Sequence, residues 1–183
     1  MTNYELDKCI KEYMNGNEQK FEDIYNETRK IVYLSICSII TSEDEIEDIM
    51  QDTYMKAIKN LESYKFGTNF KAWISSIARN LSINLYNKRK RELLVDDTYE
   101  FESSDDNSLI KKALNLLKDD SSLREVFIYH IIFNLSFREI SRIMDLPKST
   151  VHDTYKKAIT IIKNNLEDLW ILKNLKRTFK KKK

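Results

Sequence analysis

Two glycines, Gly16 and Gly67, and one proline, Pro147, are the only strong helix breakers in 183 residues. Folds built on glycine-rich phosphate loops or on repeated tight hairpins lack their raw material here. Helices joined by short polar turns need no more than this. Hydrophobic residues make up 42% of the chain, enough for one moderate core or two small ones. The expected fold class is all-α.

No apolar run approaches the roughly 20 residues that cross a bilayer, so direct membrane insertion is not expected. Met1 to Asp7 offers neither the basic start nor the apolar stretch of a secretion signal. The two cysteines, Cys9 and Cys37, fall on apolar stripes and read as buried free thiols rather than a disulfide framework. The two histidines, His130 and His152, leave zinc sites and histidine-based triads without material. No metal, cofactor or catalytic residue is expected, and a reduced cytoplasmic location is the default.

The formal net charge of +2 averages three unlike segments. Residues 1–91 carry 14 basic and 14 acidic side chains. Residues 92–108 carry seven acids and no base, in a polar stretch without helical periodicity that reads as a flexible linker. Residues 109–183 carry 17 basic and 8 acidic side chains. The expected organisation is two small helical domains, 1–91 and 109–172, joined by the acidic linker and followed by a basic tail, 173–183.

In the first domain, Leu6, Cys9, Ile10 and Tyr13 recur at helical spacing and Gly16-Asn17 ends the run. A second helix carries Phe21, Ile24, Thr28, Val32, Ile36 and Ile39 on one side. Ser42-Glu43-Asp44-Glu45 has the spacing of a capping box. The third helix puts Ile46, Ile49, Thr53, Tyr54 and Ala57 inside and presents Glu43, Glu47, Asp48, Gln51, Asp52 and Lys56 outside. A loop, Tyr64 to Asn69, leads into a long helix of 22 positions, about 33 Å at 1.5 Å per residue. Its apolar stripe includes Phe70, Trp73, Ile74, Ala78 and Leu81; Arg79, Asn80, Asn84 and Asn87 are polar, and Lys88 to Arg91 close it. Aromatic rings beside amides and cations suit single-stranded DNA, where rings stack on bases and cations hold phosphates. A core tryptophan with a basic C-terminus that complements the helix dipole fits the same residues.

In the second domain, Leu109 to Leu117 form a short helix, and Ser122-Leu123-Arg124-Glu125 and Ser136-Phe137-Arg138-Glu139 are two more capping-box patterns. The helix from Phe137 breaks at Asp145-Leu146-Pro147, and a new one begins near the proline. Two such helices across a turn of about four residues make a helix-turn-helix, whose second member enters the major groove by its N-terminal end. An ordinary helical hairpin is the alternative. Lys148, Ser149, Thr150, His152, Asp153, Lys156 and Lys157 are the exposed candidates for base or phosphate contact. His130 sits among apolar residues, as a satisfied core histidine does. The tail from Lys173 to Lys183 suits either phosphate contact or plain solvation.

FEDIYNETRKIVYLSICSII, DEIEDIMQDTYMKAIKNLESYKF, NFKAWISSIARNLSINLYNKRKR and LSFREISRIMDLPKSTVHDTYKKAI occur in this order. Together they resemble the extracytoplasmic-function (ECF) sigma factors, of the sigma-70 family of bacterial RNA polymerase, from about Phe21 to Leu169. The resemblance implies that the first domain is sigma region 2 and the second is sigma region 4. Glu47, Asp48, Gln51, Asp52 and Lys56 would dock on the clamp helices of the polymerase β′ subunit, and region 4 on the β flap. Phe66, Thr68, Asn69, Trp73, Arg79, Asn80, Asn84, Lys88 and Arg89 would melt and read the −10 element, with the loop Phe66 to Asn69 taking a flipped non-template base. Arg138, Lys148, Ser149, Thr150, His152, Asp153, Lys156 and Lys157 would serve the −35 element. An anti-sigma factor is a further candidate partner, because many relatives are held inactive by one. Two departures bear on −35 reading: Asp145 stands at a turn position usually held by glycine, and His152-Asp153-Thr154-Tyr155 delays the basic run after Val151.

The function these residues point to is a non-catalytic initiation factor that joins core polymerase and promoter DNA. A stand-alone helix-turn-helix regulator, acting as a dimer on a palindromic site, is the alternative. An enzyme fits poorly, since the carboxylates lie on exposed helical faces without a matching histidine or apolar pocket.

Overall fold

The computed structural model describes residues 1–92 and 108–165. The described residues form α1 (Asn3–Met14), α2 (Lys20–Cys37), α3 (Glu43–Lys59), α4 (Phe70–Glu92), α5 (Ser108–Leu116), α6 (Ser121–Phe127), α7 (Phe137–Met144) and α8 (Lys148–Asn165). A 3₁₀ turn, Leu61–Ser63, precedes the loop to α4, and a π-helical turn, Ile128–Ile132, extends α6. The all-α expectation holds. Most of the acidic linker and all of the basic tail lie outside the described residues, as does Trp170.

α2 is the axis of the first unit and packs against α1, α3 and α4. Leu6, Ile10, Ile31, Val32, Ile36, Ile40, Ile74 and Ala78 are nearly or wholly buried there. Small polar residues buried between the helices are satisfied by their own backbones. Thr28 Oγ1 donates to Ile24 O at 2.7 Å, Ser35 Oγ to Ile31 O at 2.6 Å and Thr53 Oγ1 to Ile49 O at 2.7 Å. Cys9 and Cys37 are buried free thiols, and burial pushes the Cys37 thiol up to about 12. α8 is the axis of the second unit, with α5, α6 and α7 packed on it.

The caps differ from the sequence expectations in an instructive way. The box at Ser136 forms: its hydroxyl accepts from Glu139 N–H, and Glu139 accepts from Ser136 N–H at 2.8 Å. At α3, Ser42 occupies the cap position but its side chain makes no capping bond, and Glu45 pairs instead with Arg89 Nη2 at 2.7 Å. At α6 the cap is Asp120, which accepts from Ser122 and Leu123 N–H, and Glu125 is carried away into an ion pair with Arg79. A box not anticipated, Thr2 with Glu5, opens α1.

α7 ends at Asp145, whose backbone is left-handed with φ 51° and ψ 47°. The turn closes through Leu146 N–H to Ser141 O at 3.1 Å and Ser141 Oγ to Leu146 O at 2.6 Å. Pro147 then stands directly before α8, and its carbonyl accepts from Val151 N–H at 3.1 Å.

The two units also pack on each other: α4 lies against α7. The Arg124 guanidinium, 5% exposed, reaches from α6 to the Ser38 carbonyl at the end of α2, at 2.8 and 3.1 Å. It also donates to the carbonyls of Leu117 and Lys118.

Candidate nucleic-acid interface

α3 buries Ile46, Ile49, Thr53, Tyr54 and Ala57. That register leaves Glu47, Asp48, Gln51, Asp52 and Lys56 exposed, so the five residues expected to face polymerase share one solvent side. An open cleft of about 450 Å³ runs between α2 and α3, lined by Phe21, Tyr25, Tyr33, Tyr54, Glu47 and Gln51 among others. The Tyr25 and Tyr54 rings stand 4.9 Å apart, and the Tyr54 hydroxyl lies 2.8 Å from Thr28 Oγ1. Burial holds the Tyr54 phenol above its ordinary range, with the Thr28 contact opposing.

The loop before α4 is held by its own backbone and by α1. Thr68 N–H and Oγ1 both donate to Lys65 O, at 3.2 and 2.6 Å. Gly67 has φ +80°, a conformation that strains a residue with a Cβ. Asn69 Oδ1 accepts from Ala72 N–H at 3.3 Å and so caps α4. Phe66 is half-buried against Tyr64 at 5.3 Å, and Trp73 is half-buried against Phe70 at 5.3 Å and Tyr64 at 5.6 Å. Trp73 therefore serves the core with part of its ring and keeps the rest accessible. Asn80, Asn84 and Lys88 follow at steps of four and form an exposed stripe along α4. Arg79 is half-buried against Glu125, and Arg89 is half-buried against Glu45.

On the helix-turn-helix, Val151, Ala158 and Ile162 face inward. This turns Lys148, Ser149, Thr150, Asp153, Lys156 and Lys157 out to solvent, and Arg138 on α7 is exposed as well. His152 is half-buried, its ring edge-on to Phe137 at 5.3 Å. His130 behaves as a core residue: Nδ1 lies 2.8 Å from Leu135 O and the ring stacks on Phe137 at 4.4 Å.

Four contacts join Arg79 and the loop Phe66 to Asn69 to groups that the sequence did not mark as their partners. Arg79 Nε donates to Glu125, which is 2% exposed. Asn69 Nδ2 donates to Glu139 Oε1 at 2.6 Å. Gly67 N–H donates to Asp7 Oδ2 at 2.7 Å, and Lys11 Nζ stands 4.9 Å from the Phe66 ring centroid. Tyr129, wholly buried near Ser35 and Arg79, fills the contact between the units, and burial holds its phenol above the ordinary range. The only sequence signal for Glu125 was a capping box it does not form; Asp7 gave none beyond a charge on an apolar stripe.

Residues 32–92 match the family model described as Sigma-70 region 2. Over 183 aligned residues the chain is 25% identical to the ECF RNA polymerase sigma factor SigW of Bacillus subtilis, covering 90% of this chain and 98% of SigW. The chain is similar to the ECF sigma factors of the sigma-70 family. A second relative, the ECF RNA polymerase sigma-E factor of Haemophilus influenzae, is 23% identical over 147 residues, 70% of this chain and 78% of its own. The fold of this chain is shared with the sigma factor RpoE of Bartonella quintana, solved with the anti-sigma factor NepR. The TM-score is 0.66 at 24% identity, over 80% of this chain and 96% of that one. It is shared too with CnrH, solved with the cytosolic domain of CnrY, at a TM-score of 0.64 and 20% identity over 88% and 96% of the two chains.

Proposed function

We propose that this sigma factor joins core RNA polymerase through the exposed α3 face and reads promoter DNA with two separate surfaces. The loop Phe66 to Asn69 and the α4 stripe take the melted −10 element, and α8 takes the −35 element. The observation that carries this reading is the register of α3. An acidic face repels DNA and suits a protein partner, while the amides and cations of α4 and α8 lie on other helices. The factor is not itself an enzyme; opening the −10 region draws on binding energy, which offsets the unstacking of the captured base. Unit 1–91, linker 92–108, unit 109–172 and tail 173–183 are the parts we assign to region 2, spacer, region 4 and a basic extension.

Asn69 and Arg79 are committed to Glu139 and Glu125 in this arrangement, so their role on DNA requires the two units to separate. An anti-sigma factor that holds the units together is a fitting partner, as is a cytoplasmic location. No described helix is long and apolar enough to cross a membrane. Core polymerase, the full chain and promoter-bearing templates test the function directly: a specific initiated transcript is the expected result. Charge reversal at Asp48 and Asp52 should abolish core binding and leave the fold intact, because both face solvent. Failure of the folded wild-type chain to bind core would sink the reading.

A further inference from the structure

Helix α1 lies outside the stretch matched to Sigma-70 region 2, which begins at residue 32, yet it grips the loop before α4 at two points. Asp7 is a carboxylate only 8% exposed on an otherwise apolar face. Burial of such a group is costly unless its oxygens are satisfied, and both are. Oδ1 accepts from the Tyr64 hydroxyl at 2.7 Å and Oδ2 from Gly67 N–H at 2.7 Å. The same Tyr64 hydroxyl lies 3.1 Å from Thr68 O. Asp7 and Tyr64 together thus tie the start, the glycine and the end of the loop. Four residues on, one turn along the same side of α1, the Lys11 ammonium stands 4.9 Å from the centroid of the Phe66 ring, within cation–π range.

What this clamp holds is a wall. Asp7, Gly67, Thr68, Asn69 and Trp73 form one side of a cleft of about 850 Å³ whose other side is Glu139, Arg142 and Ile143 of α7, so this wall opens to a base once the two units separate. Two bonds from Thr68 to Lys65 O brace the loop from within, but Gly67, at φ +80° with open space where a Cβ would stand, has its amide held from outside the loop. The pin is the Asp7 carboxylate. A carboxylate tying down an N–H and an O–H is a stiffer support than water, and a base pocket discriminates only as sharply as its walls are fixed.

We infer that Asp7 and Lys11 are positioning residues for −10 recognition: α1 fixes the shape of the loop that captures the flipped non-template base, and so sets base preference at that position. This rests on the reading of the Phe66 to Asn69 loop as the capture loop. Neither side chain is asked to touch DNA.

The test uses the full chain with core polymerase and four templates that differ only in the non-template base at the captured position. Open-complex formation is followed by fluorescence of a base analogue placed beside it. The wild-type factor should prefer one base. Asp7→Asn, which keeps the size but loses the paired acceptor, should compress that preference roughly tenfold. Lys11→Met, which keeps the stem of an exposed side chain, should compress it by a smaller factor, and Lys11→Arg should restore it. In parallel, hydrogen exchange at the Gly67 amide should speed up in Asp7→Asn, while helix content and core affinity stay at wild-type levels. Faster exchange at Gly67 with base preference intact overturns the inference and leaves the proposed function standing. An equal fall on all four templates also overturns it, since that is loss of stability alone. If the wild-type factor opens no template with any base preference, the capture-loop reading itself is wrong and the inference goes with it.

Discussion

Asp145 and Glu125 each hold a conformation that another residue would hold more easily. Asp145 is one of two non-glycine residues with positive φ among the described residues, the other being Asn134. A left-handed L-residue costs of order 1 kcal/mol, and the Asp145 side chain is exposed. Asp145→Gly should therefore raise the urea midpoint of unfolding by an amount equivalent to about 0.5–1 kcal/mol. Glu125 is a different case. Burial holds its carboxyl above the ordinary carboxylate range, and Arg79 only partly offsets this. A raised carboxyl keeps a proton in the folded chain that the unfolded chain has already released. Its stabilising contribution is full below the ordinary value of 4.5 and is lost as pH rises through the folded value. Glu125→Gln should remove that pH dependence and leave stability at neutral pH equal or higher. Glu125→Ala, which strips a half-buried Arg79 of its partner, should cost about 3 kcal/mol. Urea titrations of the three proteins at pH 5 and pH 7 separate these outcomes.

At the scale of the helices, three Ser-x-x-Glu patterns looked alike in the sequence and came to different ends. The box closes at Ser136 because Glu139 remains within reach of the cap while also accepting from Asn69. It fails at Ser42 and at Ser122, where the glutamates are taken by arginines on α4. Ser136→Ala and Asp120→Ala should each cost about 1 kcal/mol, whereas Ser122→Ala should cost a few tenths at most. Equal losses at Ser122 and Ser136 would show that the boxes had been assigned wrongly. The eight helices themselves were legible because their apolar stripes have one period and the breakers are few. The register of α3 and α8, which decides which candidate side chains reach solvent, followed from the same stripes. The fate of each capping glutamate was not legible, since it depends on partners 44 and 46 positions away, Arg89 for Glu45 and Arg79 for Glu125. The Asp7 clamp was hidden for the same reason: its partners stand 57 and 60 residues along the chain.

At the scale of the molecule, charge arithmetic suggested two units joined by an acidic linker, and the structure adds a polar contact between them. Arg124 on the Ser38 carbonyl, Glu125 on Arg79 and Glu139 on Asn69 all cross it. On the proposed reading, each of these crossings occupies a group assigned to DNA, or locks the unit that carries one. Breaking them should then strengthen binding to DNA. A 183-residue chain as compact as an ordinary domain has a radius of gyration of about 16 Å, and separation of the units should add several ångströms to it. The double variant Arg124→Ala, Glu125→Ala should show that increase in X-ray scattering and bind a single-stranded −10 oligonucleotide severalfold more tightly than wild type. Its salt dependence should steepen as well, because Arg79 becomes free to hold a phosphate and release a counterion. A variant that expands without gaining affinity would mean that the closed contact is not what keeps the −10 surface from DNA, and that the barrier lies in the shape of the recognition loop instead.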